Sequence, residues 1–160
     1  MKGAPEREQE LGDLLQDLVN RIAHRGGRTL AIMNEVPVTL QQVVMLHRLR
    51  DPVAWTPSEL AASLGMSLPS ASQMIDRLFQ LKLVTRTEII GDRRKKEVAL
   101  TPEGRVLLVR LHEARSTEYE AGLARLSPKL RADLKCLLRH ALTELQSGEE
   151  IPRAQLRRLR

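Results

Sequence analysis

Two helix-start signatures lie close together in this chain, and with the strand-like segments behind them they constrain the fold more than any other feature. In TPSE, Thr56 can cap a helix, Pro57 suits its first position, and Glu59 can reach back to complete a capping box. Leu60, Ala61 and Leu64 then face one way, and Gly65 closes the helix. Ser67 caps the next helix, Pro69 lies in its first turn, and the pattern carries that helix over residues 67–82. At about 100° per residue, Ala71, Ile75 and Leu78 share one side. Leu68, Phe79 and Lys82 sit beside them, while Pro69, Ser70, Gln73, Asp76, Arg77 and Gln80 occupy the opposite arc. Behind the helix, LVTRTEII reads as a strand, GDRRKK as a tight connection turned by Gly91, and EVALT as a second strand.

A short helix, a glycine turn, a second capped helix and a hairpin follow the order of a winged helix-turn-helix. The expected fold is therefore mainly α with a small β-hairpin wing. A winged helix-turn-helix lobe, residues 38–104, is joined to long terminal helices within a single chain. Leu11, Leu14, Leu15, Leu18 and Ile22 fall on one face of a first helix, which Gly26 and Gly27 should kink, fray or divide. Each glycine inside a helix costs about 1 kcal/mol relative to alanine. LQQVVMLHRL is too apolar to be anything but largely buried, and Asp51 with Pro52 ends it. Thr101, Pro102 and Glu103 open another helix with a stripe of Val106, Leu107, Val109 and Leu111. Ser127 and Pro128 start a last one, carrying Leu130, Leu134, Leu137, Leu138, Leu142 and Leu145 on a broad apolar face. A module of about 50 residues cannot cover both the first helix and the last. Residues 8–33 and 105–147 are accordingly expected to form a two-fold dimer interface.

The charge balance points to the partner. Twenty-six basic residues against 20 acidic give a net +6, which favours a polyanion. Aromatic residues make up only 2% of the chain, so stacking of single-stranded bases is poorly supported, whereas binding to a duplex backbone needs none. A helix fits the major groove, where each base pair shows its own donor and acceptor pattern. Ser67, Ser70, Ser72, Gln73 and Arg77 are the recognition-helix candidates: glutamine pairs bidentately with adenine, arginine with guanine, and serine hydroxyls hold phosphates. In the wing, residues 89–98, the candidates are Asp92, Arg93, Arg94, Lys95 and Lys96. A hairpin would hold Arg93 or Arg94 toward the narrow minor groove, with Asp92 orienting a guanidinium and the lysines drawn to phosphates.

Other functions are weakly supported. There is no nucleotide-cradling glycine loop, no glycine-flanked serine elbow and no close histidine pair among His24, His47, His112 and His140, so neither an enzyme nor a cofactor or metal is expected. No apolar stretch approaches the roughly 20 residues of a membrane span, and the N-terminus lacks a secretory core, so a cytoplasmic protein is expected. The lone Cys136, in LKCLLRHAL, can make no intramolecular disulfide; burial beside the apolar stripe is the plain reading, and oxidant sensing with help from Arg139 and His140 is the alternative. A winged helix used for protein contacts is the other competing role.

ELAASLGMSLPSASQMIDRLFQLKLVTR followed by GDRRKKEVALTPEG resembles the multiple-antibiotic-resistance regulator (MarR) family, with DRR, V-x-L-T and the closing glycine in the family's order. The likeness covers roughly residues 40–110. It implies a homodimeric regulator, usually a repressor, that binds palindromic promoter DNA and responds to small ligands or oxidants. It places Ser70, Ser72, Gln73 and Arg77 near bases or phosphates, and Asp92 and Arg94 at the minor groove. A small-molecule effector would sit between the dimer layer and the DNA-binding lobes, where His47, Trp55 and His112 are lining candidates that are otherwise ordinary core or edge residues.

Overall fold

A computed structural model describes residues 4–23, 27–50, 55–89 and 92–148, with side chains over 10–23, 27–50, 55–88 and 96–146. The order of elements is α1 (Ala4–Ala23), α2 (Arg28–Glu35), α3 (Leu40–Arg48), α4 (Pro57–Ser63), α5 (Leu68–Gln80), β1 (Val84–Ile89), β2 (Asp92–Leu100), α6 (Pro102–Leu123) and α7 (Pro128–Gly148). The expected all-helical frame with one antiparallel hairpin is what forms. No helix among the described residues is long and apolar enough to cross a membrane.

Local chemistry sets the helix ends. Thr56 and Glu59 form the anticipated capping box on α4, and Thr39 with Gln42 makes a second one on α3. α4 and α5 then end in the same hydrogen-bond pattern. At the first end Met66 N–H donates to Ala61 O and Gly65 N–H to Ala62 O, with Gly65 at φ +62°. At the second, Leu83 N–H donates to Leu78 O and Lys82 N–H to Phe79 O, with Lys82 at φ +59°. Both are Schellman closures that need a left-handed residue. Glycine takes that conformation freely; lysine does so against a steric cost.

The core belongs to one lobe. Met45, Leu46 and Leu49 of the α3 region, Leu60 of α4, Ile75 and Leu78 of α5, and Val84 and Val98 of the hairpin are fully buried together. α6 extends this core with Leu107, Leu108 and Leu111, so the lobe reaches past residue 104. The stripe expected on α6 is corrected by this packing. Val106 and Val109 are exposed, and the inward line is Leu107, Leu111, Ala114 and Glu118, as helical spacing from Leu107 requires.

Thr101 and Gly104 join α6 to the lobe. Thr101 Oγ1 donates to Lys82 O at 2.7 Å and accepts from Gly104 N–H at 3.0 Å, capping α6 while holding the turn after α5. A Cβ on Gly104 would lie 2.2 Å from Leu83 O, so only glycine lets the helix approach this closely. This is the physical content of the V-x-L-T-P-E-G pattern.

α1 is described to Ala23 and α2 begins at Arg28; of the two glycines expected to interrupt the first helix, Gly27 directly precedes α2 and Gly26 lies outside the described residues. Gly27 offers α2 no side-chain cap. Instead the buried Glu118 of α6 accepts from Thr29 N–H at 3.0 Å and from Thr29 Oγ1 at 3.1 Å, placing a carboxylate at the positive end of α2. One turn further along α6, a Cβ on Gly122 would fall 2.6 Å from Ile22, which marks where α1 crosses.

Candidate nucleic-acid interface

α5 presents a polar arc to solvent because Ala71, Ile75 and Leu78 take its other side into the core. Ser67, Ser70, Gln73 and Arg77 are exposed on or beside that arc, whereas Ser72 is half-buried on its flank. Ser67 Oγ accepts from Ser70 N–H at 3.3 Å and lies 2.8 Å from Ser70 Oγ, so the two hydroxyls form one capping unit at the helix start. The first turn of α5 contains no acidic residue, leaving its positive end uncompensated. Among the described residues, the side chains of Gln73 and Arg77 make no hydrogen bond or ion pair. Their donors and acceptors are available to a partner.

The wing differs from the expected strand, loop and strand. DRRKK is not a connection: β2 runs from Asp92 to Leu100, and Gly91, expected to supply the turn, lies outside the described residues. Pairing is regular from Val84↔Leu100 to Glu88↔Lys96, then jumps to Ile89↔Asp92. Residues 93–95 therefore form an irregular, bulged length of β2 between two paired positions. A bulge twists a strand and re-aims what it carries. Lys96 is exposed; the side chains of Asp92, Arg93, Arg94 and Lys95 lie outside those described.

Two interactions missed by sequence reasoning support this surface. Trp55 exchanges both backbone hydrogen bonds with Val98, at 3.2 and 2.7 Å, and so lines the free edge of β2. Arg86 of β1 reaches across to α5, where its Nη2 pairs with Asp76 Oδ1 and its Cζ lies 5.4 Å from the centroid of the Phe79 ring. The signal for Arg86 was in the alternation V-T-R-T: strand period places it on the inward face with Val84, where an arginine is out of place without a partner.

The effector candidates separate. Trp55 is a buried member of the lobe core, while His47 on α3 and His112 on α6 are exposed. The two histidines interact: partial burial pushes the His47 imidazole below its ordinary pKa, Arg50 adds to this and His112 adds further. Cys136 is exposed on α7 in the single chain, against the expectation that the apolar stripe would bury it.

Comparison with known proteins agrees with this architecture. The MarR family model matches residues 38–96. RV1404 from Mycobacterium tuberculosis is 26% identical, with 92% of this chain and 96% of that one covered at a TM-score of 0.70. The transcriptional regulator Tm0710 from Thermotoga maritima is 18% identical, with 88% and 96% covered at 0.72. A mutant of S. aureus MepR bound to an oligodeoxyribonucleotide is 18% identical, with 87% and 97% covered at 0.58.

Proposed function

Since residues 38–96 match the MarR family model, we propose that the chain is a sequence-specific regulator of transcription, a homodimer that represses by occupying a palindromic promoter site on duplex DNA. One observation carries the reading. The unpaired Gln73 and Arg77 and the serine-capped start of α5 face solvent on the same lobe that holds out a hairpin with a basic strand. Gln73 and Arg77 read base edges in the major groove, Ser67 and Ser70 hold phosphates, and Arg93 or Arg94 enters the minor groove with Asp92 as orienting acid. Ser72, half-buried on the flank, is left with a phosphate or no contact.

The dimer is proposed from exposed leucines. Leu11, Leu14 and Leu15 of α1 and Leu130, Leu137, Leu138, Leu142 and Leu145 of α7 face solvent in the single chain. Apolar rows of that extent belong to an interface. Two-fold symmetry would set two copies of α5 into successive major grooves about 34 Å apart. An effector that binds one spacing better than another would shift occupancy, and the cleft flanked by His47 and His112 is the proposed place for it.

Selection of bound duplexes from a random pool tests the reading. A recovered palindrome supports it; a pool no more ordered than the input rejects it. Affinity should fall with salt by about 0.9 log units per log unit for each phosphate neutralised, which a purely protein-binding winged helix would not show on DNA. Arg94→Ala should flatten that slope, and Gln73→Ala should relax base preference.

A further inference from the structure

Arg86 occupies a position that the DNA-binding proposal does not by itself explain. Cross-strand pairing sets it opposite Val98, on the hairpin face that also carries Val84 and Leu100. Those three neighbours are buried apolar anchors. Arg86 is the next inward slot along β1, where the hairpin leaves the core and runs on toward residues 88–96 with no further buried side chain among those described. Its side chain is only one-quarter exposed, and its Nε is buried without a hydrogen-bond partner among the described residues. Such a head is held by what surrounds it. Here that is the carboxylate of Asp76 and the face of Phe79, both on α5 and within one turn of each other.

Asp76 is the only acid in α5 and lies beside the residues offered to DNA. Left alone, it would repel phosphates. Phe79 is half exposed, an unusual place for a large ring unless something covers it. Arg86 meets both needs with one group, by ion pairing to the acid and by cation–π contact within the usual range of about 6 Å from the ring.

We propose that Arg86 is a positioning residue for duplex binding: it fixes the offset of the wing from the recognition helix by gripping Asp76 and Phe79 together, and it screens that helix's only acid from the phosphates. The consequence for DNA rests on the function proposed above, but the mechanical part does not. Beyond Val84 and Val98 the hairpin is a lever, and among the described side chains Arg86 is the one that ties it to α5 by charge. Loosening that tie lets the wing swing, so that helix and wing no longer reach their grooves at one setting.

The test uses the full chain as Arg86→Gln, Arg86→Lys and Asp76→Asn. Amide hydrogen exchange over residues 85–88 and 96–99 should quicken at least about ten-fold in Arg86→Gln and about three-fold in Asp76→Asn, with α3 unchanged. Arg86→Lys, which keeps a cation for both partners, should recover most of the protection. With a selected duplex, Arg86→Gln should bind at least about ten-fold more weakly and with a shallower salt slope, because the wing's phosphates are no longer neutralised. Hairpin exchange at the wild-type rate in both Arg86→Gln and Asp76→Asn overturns the inference, and so does quickened exchange with an unchanged slope. If Arg86→Gln does not fold, Asp76→Asn decides, since that side chain is largely exposed. Wild-type protein that binds no duplex would sink the DNA reading alone, with the exchange result still deciding whether Arg86 holds the wing.

Discussion

The lobe and the terminal helices treat their leucines in opposite ways. In the lobe, Leu46, Leu60 and Leu78 are at zero exposure, enclosed by elements of the same chain. Along α1 and α7, Leu11, Leu137 and Leu145 stay about two-thirds exposed. The lobe therefore has the core of a self-sufficient folding unit, whereas the helical ends hold their apolar surface in reserve. α6 links the two: its first turns complete the lobe core, and its last turns receive α1 at Gly122. With the proposed dimer, such a molecule would have one stability set by its own packing and another set by concentration.

The sharpest way to break that contrast is to damage the lobe core. Leu46→Ala should cost about 3 kcal/mol, within the usual range for a fully buried leucine, and the loss should be the same at every protein concentration. Denaturant melts followed at two concentrations check it. A loss that shrinks as concentration rises would mean that the lobe, too, borrows its stability from a second copy.

Next in size is the reserve surface. Leu137→Glu with Leu142→Glu on α7 places charges in the proposed interface but on side chains that are exposed in the single chain. Sedimentation should move from dimer to monomer at micromolar concentration while the lobe's own melt stays within about 0.5 kcal/mol, as for ordinary surface changes. If the wild type already sediments as a monomer, the contrast between the two regions loses its explanation.

Much of the lobe could be read in advance because its signals are local. Capping needs only residues three apart, so the Thr56 and Glu59 box and the Ser67 cap were legible from the chain. Buried positions of α5 followed from helical spacing alone. What escaped was non-local. The Glu118–Thr29 clamp joins residues 89 apart, and no pattern in either segment announces the other. Arg86 escaped for a different reason: strand period set it on the face of Val84, but its partners Asp76 and Phe79 lie on another element, and nothing in the strand names them. The basic run was misplaced as a loop because consecutive charges carry no period-two pattern, and pairing across the hairpin decides where a strand begins. On α6, apolar residues are so frequent that several stripes fit, and only packing against the lobe selects Leu107 and Leu111 over Val106 and Val109.

A smaller effect comes from comparing the two matched helix ends. Gly65 and Lys82 take the same left-handed conformation in the same closure, and only one of them does so without a Cβ. Lys82→Gly should stabilise the lobe by about 1 kcal/mol, the strain removed outweighing the flexibility gained by the unfolded chain. The measurement is a denaturant midpoint, and the sign decides. A destabilised Lys82→Gly protein would show that the lysine's side chain contributes more than its backbone costs.

The smallest expected effect concerns pH, and it falls where the lobe meets the helical layer. His47 on α3 has its pKa lowered in the folded state, by burial first, then by Arg50 and by His112 on α6. The folded protein thus releases the His47 proton more readily than the unfolded chain, whose value is near 6.5. Between the lowered value and 6.5 the unfolded state binds more protons, so stability rises with pH through that window. The contribution is complete above 6.5 and is lost as pH falls through the folded pKa. His47→Gln should remove this part of the dependence, leaving urea midpoints at pH 7.5 little changed and narrowing the drop seen on going to pH 5.5. Arg50→Gln should narrow it too, by less, since burial is the larger cause. An undiminished drop in His47→Gln would assign the acid sensitivity to other groups and leave the seam between α3 and α6 electrically silent.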